Sequence, residues 1–203
     1  SKTHHLLRER GSLRLKRDPP DPVSHANPMR PKGRKYGLGR LATRRAGLTV
    51  HGIDGSAAML RFASESLHES PELGGRVQFI EGLLPGATLP LPGYDAVVSN
   101  SLLHHLHDPD VFWRAVREAG APGAAVLVMD LFRPESVAAA EAIVDQYAAN
   151  EPELLRLDFL ASLCAAFEPD EIRAQLQAHG LDGFSVRTVS DRHLLVTGRL
   201  PPR

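Results

Sequence analysis

Hydrophobic positions recur in two alternating rhythms between about residue 37 and the end of the chain. Arg40–Ala46 reads as a short helix closed by Gly47, and Leu48–Ile53 as a strand that ends at Asp54. Ser56 can cap a helix running to about His68, with Met59, Ala63 and Leu67 at helical spacing. Arg76–Ile80 is a strand by its β-formers, and Tyr94–Asn100 is a strand with the continuous apolar centre of a buried parallel strand. Asp108-Pro109 opens a helix whose buried stripe is Phe112, Ala115, Val116 and Ala119, and Gly120 ends it. Ala124–Met129 follows as a strand ending at Asp130.

Residues 134–167 break this alternation with two helical stripes separated at Pro152. A further helix spans Pro169–His179. The chain closes in a hairpin, Phe184–Val189 and His193–Gly198 around Asp191-Arg192. Strand and helix in alternation give an α/β, Rossmann-like, doubly wound and mostly parallel sheet, with an antiparallel C-terminal hairpin and a helical insertion at 134–167. Residues 1–36 show no sustained periodicity, and five prolines from Pro19 to Pro31 interrupt them, so this segment reads as irregular or disordered. The expected organisation is a leader, 1–36, and one domain, 37–203, whose first strand cannot be found in the sequence.

Charge sharpens that division. Residues 1–45 hold 13 basic and 3 acidic residues, leaving 11 and 21 of the chain's 24 and 24 for the rest, so the net charge of zero conceals two oppositely charged pieces. A basic arm of this kind can bind nucleic acid, but it lacks interleaved aromatics and is rich in proline, as solvated leaders are. The single cysteine, Cys164, excludes an internal disulfide and a four-thiolate zinc site, and it suits a reducing cytoplasm. No apolar run approaches the roughly 20 residues that span a bilayer.

Two segments hold the candidate chemistry. Asp54 ends the second strand of an α/β sheet, the edge at which such sheets bind ligands, and its carboxylate can accept hydrogen bonds from both hydroxyls of a ribose. Gly52, Gly55 and Ser56 around it are small enough to admit a nucleoside. A plain turn or helix-capping role for Asp54 remains the alternative. The second segment, Ser99-Asn100-Ser101-Leu102-Leu103-His104-His105-Leu106, leaves the strand 94–100.

The runs GIDGSAAML, YDAVVSNSLLHHLHDPDVFWRAV and PGAAVLVMDLFRP together resemble the small-molecule type of class I S-adenosylmethionine-dependent methyltransferases, over roughly residues 37–199. The LLHHLHDP block is the most specific part of the likeness, and the closing hairpin suits a family whose sheet ends in an antiparallel seventh strand. The resemblance implies S-adenosylmethionine as cofactor and a small-molecule methyl acceptor. It implies that Asp54 holds the ribose and that Ile53 and Met59 border the adenine and ribose. Ser99, Asn100 and Leu102 would line the methionine end, and His104 and His105 would follow at the mouth of the substrate crevice. A histidine there can act as general base or simply pack the loop. A metal reading of His104, His105 and His107 finds no carboxylate or thiolate pattern to complete it.

The chain departs from the family in two places. Only Gly37-Leu38-Gly39 remains of the glycine-rich turn, so Gly37 and Gly39 are the candidates for the cofactor's carboxypropyl end. Leu83 stands where many members place an aspartate near the adenine amine. These departures leave two alternatives open: a cofactor-binding protein without turnover, and a nucleic-acid methyltransferase using the basic arm, although Asn100 is followed by Ser101-Leu102 and not by the paired prolines of the base-holding motif. One reading of the change near residue 37 is a start taken from another frame and joined to a methyltransferase body. Asp130 and Arg133 would lie on the ligand edge, with Arg133 meeting either an acidic substrate or an ion-pair partner. Tyr147, Phe159 and Phe167 are candidates for a substrate cover or for plain core.

Overall fold

The computed structural model describes residues 4–8, 47–68 and 70–202, the first of these by their backbone. The helix expected over 40–46 and the candidates Gly37 and Gly39 lie outside the described residues. A seven-stranded sheet in the order β3-β2-β1-β4-β5-β7-β6 organises the molecule. Its strands are β1 (His4–Arg8), β2 (Thr49–Asp54), β3 (Val77–Glu81), β4 (Tyr94–Asn100), β5 (Gly120–Leu131), β6 (Ser185–Thr188) and β7 (His193–Arg199). β2 pairs in parallel with β3 and β4 with β5, whereas β1 is antiparallel to both β2 and β4 and β7 to both β5 and β6. Five strands therefore share one direction, as the alternating pattern predicts.

The expectation that residues 1–36 contain no strand is corrected at His4–Arg8. This five-residue strand fills the central slot between β2 and β4, where it supplies ladder partners to both. An open slot would leave two rows of buried backbone groups unmet, at about 1–3 kcal/mol each. The run is too short to announce itself by periodicity, and it enters antiparallel, which no crossover pattern in the sequence signals.

Helices cover both faces. α1 (Ala57–His68) packs on β2 and β3. Its Leu67 joins a small core of Leu48, Val50, Leu73, Val77 and Ala96. On the opposite face lie α2 (Pro109–Ala119) and α5 (Pro169–Ala178), over a larger core that includes Val97, Val126, Val128, Ile172, Leu176, Leu194 and Val196. Ala96 and Val97 thus point to different cores, as the period of two along a strand requires. Asp108 caps α2 by accepting the Asp110 N–H at 3.0 Å, with Pro109 at the first helical position.

The insertion is a helical pair, α3 (Val137–Ala148) and α4 (Glu153–Ala165), broken at Pro152 as expected. The pair buries Ala140, Ile143, Val144 and Leu163 in a third core against Leu131. α4 also packs on a short 3-10 turn, Leu103–His105, that the sequence reading does not anticipate. The hairpin of β6 and β7 closes the sheet. β5 begins four residues earlier than expected, because Gly120 pairs with Tyr94 across an irregularity in the ladder.

Candidate functional site

Register places the chemistry on one edge of the sheet. His4 lies level with Ile53 on one side and with Ser99 on the other, and Asn100 pairs with Met129. Asp54 and Asn100 therefore end their strands at one height, with Asp130 a single residue further along β5. This is the carboxyl edge of β2, β4 and β5, the place where open α/β sheets accept ligands.

A cleft of about 970 Å³ opens there. Ile53, Asp54, Ser99, Leu102 and His105 stand on its wall, together with Leu83 from the segment after β3. Asp54 is 2% exposed, and one of its oxygens accepts the Ser56 N–H at 2.8 Å. The carboxylate thus forms the turn that the simpler reading requires, while also facing the cleft. Ser56 Oγ in turn lies 3.4 Å from the Met59 N–H at the start of α1. Gly55 and Gly82 keep this end of the cleft narrow but open. A Cβ on Gly55 would lie 2.3 Å from Leu83 Cδ2, and one on Gly82 would lie 2.9 Å from the Ala87 Cβ.

The other candidates fall elsewhere. Met59 and Asn100 are not on the cleft wall. Asn100 Oδ1 is nevertheless buried with no hydrogen-bond partner among the described residues, which is costly unless a ligand donor meets it. Ser101, the next residue, has a positive φ of 54° and donates its N–H to the Met129 carbonyl at 2.7 Å. That left-handed residue redirects the chain from β4 into the 3-10 turn.

Within that turn the two histidines part. His105 lines the cleft. His104 is 5% exposed and donates its Nδ1–H to Asp130 Oδ1. Asp130 also accepts the Leu103 N–H at 2.7 Å and the Leu131 N–H at 2.8 Å. The two imidazoles meet with centroids 4.2 Å apart and planes tilted by 39°. Asp130, expected on the ligand edge, is thus also the buried anchor of the histidine turn, a contact that the sequence does not announce. The only signal for it is an acid at the end of a strand.

His193, at the start of β7 opposite Leu131, completes the histidine group near Asp130. Burial holds its pKa below 6.5, aided by Arg192 and opposed by Asp130 and Asp191. Arg133 adopts the ion-pair reading: its guanidinium meets Glu168 at 3.1 Å and Glu171 at 2.9 Å, and those hydrogen bonds raise its pKa. Phe159 and Phe167 pack against core clusters. Tyr147 is 43% exposed, with its hydroxyl donating to Asp191 at 2.8 Å and Arg192 stacked over its ring. Among the described residues no group of three His, Cys, Asp or Glu side chains could hold a metal ion.

Residues 37–126 match the family described as a methyltransferase domain. No curated protein matches the sequence. Among solved structures, the plantazolicin methyltransferase BpumL, crystallised with a desmethyl analogue and S-adenosylhomocysteine, superposes with a TM-score of 0.63 at 10% identity, covering 82% of this chain and 72% of that one. An O-methyltransferase family protein from Burkholderia thailandensis gives a TM-score of 0.55 at 20% identity, over 81% and 47%. Human N-acetylserotonin methyltransferase in complex with S-adenosylmethionine gives 0.52 at 18%, over 81% and 44%. The chain spans less than half the length of the last two proteins. At these identities the likeness establishes a shared fold.

Proposed function

We propose that this chain, which bears a methyltransferase domain on the class I S-adenosylmethionine-dependent fold, transfers a methyl group from S-adenosylmethionine to a small-molecule acceptor. The observation that supports the reading most is the buried Asp54 carboxylate at the tip of β2, on the wall of the same cleft as Ser99, Leu102 and His105. A carboxylate accepts hydrogen bonds only, so it favours a diol and disfavours an anion at that point.

Ile53 and Leu83 offer apolar contact to a flat base beside that diol. Ser99 and Leu102 line the continuation of the cleft, and the buried Asn100 Oδ1 next to Ser99 is an acceptor open to a donor such as an ammonium. In this assignment Gly37 and Gly39 are the candidates for the carboxypropyl end, and the nucleoside is bordered by Ile53, Asp54 and Leu83. When bound, the sulfonium supplies an already activated methyl group. The protein's part is then alignment of the acceptor and exclusion of water. His105, on the cleft wall, is placed to accept an acceptor proton, while His104 lies buried behind it.

A small acceptor accords with a cleft of this size, which is within the usual range for small-molecule sites. No helix among the described residues is long and apolar enough to cross a membrane. Cys164 is exposed and free, which accords with a reducing, cytoplasmic setting.

Isothermal titration with S-adenosylhomocysteine tests the assignment. The wild-type chain should bind it, and Asp54→Ala should weaken binding about 10- to 100-fold, the value of one or two charge-assisted hydrogen bonds. Equal affinity in the two proteins would remove Asp54 from the site.

A further inference from the structure

We infer that Asp130 is a positioning residue for methyl transfer, holding His104 as its Nδ1–H tautomer and, through the contact between the two rings, setting the His105 imidazole against the cleft. The inference rests on the methyltransferase reading of that cleft and adds a residue that the reading does not use.

Three donors converge on the Asp130 carboxylate: the His104 Nδ1–H, the Leu103 N–H and the Leu131 N–H. Two of them come from the turn that follows β4 and one from the end of β5. The carboxylate therefore ties the histidine-bearing turn to the sheet edge at two successive residues. A side chain that served only to end β5 would need the Leu131 N–H alone. With the side chains of His104 and Asp130 each 1% exposed, water does not compete for the pair.

Because an ionised carboxylate can only accept, the His104 proton must sit on Nδ1, and the ring plane is set by that bond. His105 follows immediately and rests on that ring at 4.2 Å and 39°. α4 packs on the same turn from the other side. His105 thus meets the cleft from a buried support, an arrangement that spares a reacting group the loss of alignment a flexible loop would bring.

Histidine-labelled full-length protein, observed by NMR at neutral pH, tests this. In the wild type the His104 proton should be found on Nδ1, with cross-relaxation between the His104 and His105 rings. Those two readings need no variant. Asp130→Asn keeps one acceptor oxygen for the His104 Nδ1–H and the Leu131 N–H but sets its NH2 against the Leu103 N–H, so it should leave the proton on Nδ1 while loosening the turn. It should also shift the His105 ring signals and diminish their change on adding S-adenosylhomocysteine. His104→Asn, whose amide N–H reaches the position of Nδ1–H, should preserve that ligand-induced change, whereas His104→Leu should lose it. A wild-type His104 protonated on Nε2, or an Asp130→Asn protein with an unaltered His105 response, overturns the proposal. If S-adenosylhomocysteine moves no signal of the wild type, the cofactor assignment fails, while the tautomer and the Asp130→Asn shift still judge the positioning claim.

Discussion

His104 donates its Nδ1–H to the carboxylate of Asp130 across 26 residues of chain, joining the exits of two parallel strands inside the protein. Removing one member of a buried pair leaves the other uncompensated, at about 3–5 kcal/mol. Asp130 retains two backbone donors, so His104→Leu should cost somewhat less, about 2–4 kcal/mol. His104→Asn should cost about 1 kcal/mol, because it restores a donor. Urea titrations with unchanged slopes give these values directly. A loss below about 1 kcal/mol for the leucine variant would show the bond to be weak.

Trp113 joins α2 to α5. The chain's one tryptophan is fully buried, meets Phe112 edge-on at 4.8 Å and donates its Nε1–H to Gln175 at 2.9 Å. Trp113→Phe removes that bond and some volume while keeping an aromatic ring. The expected loss is about 1–3 kcal/mol, seen as a lower thermal midpoint by circular dichroism. An unchanged midpoint would mean that the two helices are held together without it.

The parts of the fold that were legible in the sequence are those with long periodic patterns. Tyr94–Asn100 is a strand between the expected bounds, and the break at Pro152 divides the insertion as its two stripes indicate. Asp54, Leu83, Ser99, Leu102 and His105 meet on one cleft because strand ends are readable and the sheet brings them to one edge. What stayed hidden depends on contacts between distant residues. β1 is five residues whose strand character comes from the slot they fill. The separation of His104 from His105 depends on a 3-10 turn and on Asp130, 26 residues later. No local pattern encodes either.

Two glycines near neighbouring side chains should respond differently to alanine. At Gly198 a Cβ would lie 2.3–2.7 Å from three atoms of the Phe184 ring, a rigid, partly buried group that packs against the main core. Gly198→Ala should therefore cost about 1–3 kcal/mol. At Gly55 the clash is with Leu83 Cδ2, the end of a side chain that is 72% exposed and able to swing away. Gly55→Ala should leave stability within about 0.5 kcal/mol, typical of surface changes, while altering affinity for S-adenosylhomocysteine. Chemical denaturation and titration of both variants would check the contrast. Equal stability losses would refute it.

Stability should decline on mild acidification, in part through His193. Burial, aided by Arg192, holds its folded pKa below the value of 6.5 that it regains on unfolding. Between those two values the unfolded chain binds more protons, so stability rises with pH across that window and is complete above about 6.5. His51, whose Nδ1 is hydrogen-bonded to the Tyr94 hydroxyl at 2.6 Å, has its pKa lowered by burial as well and adds a slope of the same sign. His193→Gln should thus flatten the dependence below pH 6.5 without abolishing it, and should leave the dependence above neutrality unchanged. Unfolding free energies of both proteins measured across this range decide the matter. Parallel curves would show that His193 keeps its ordinary pKa in the folded chain and is hydrated there.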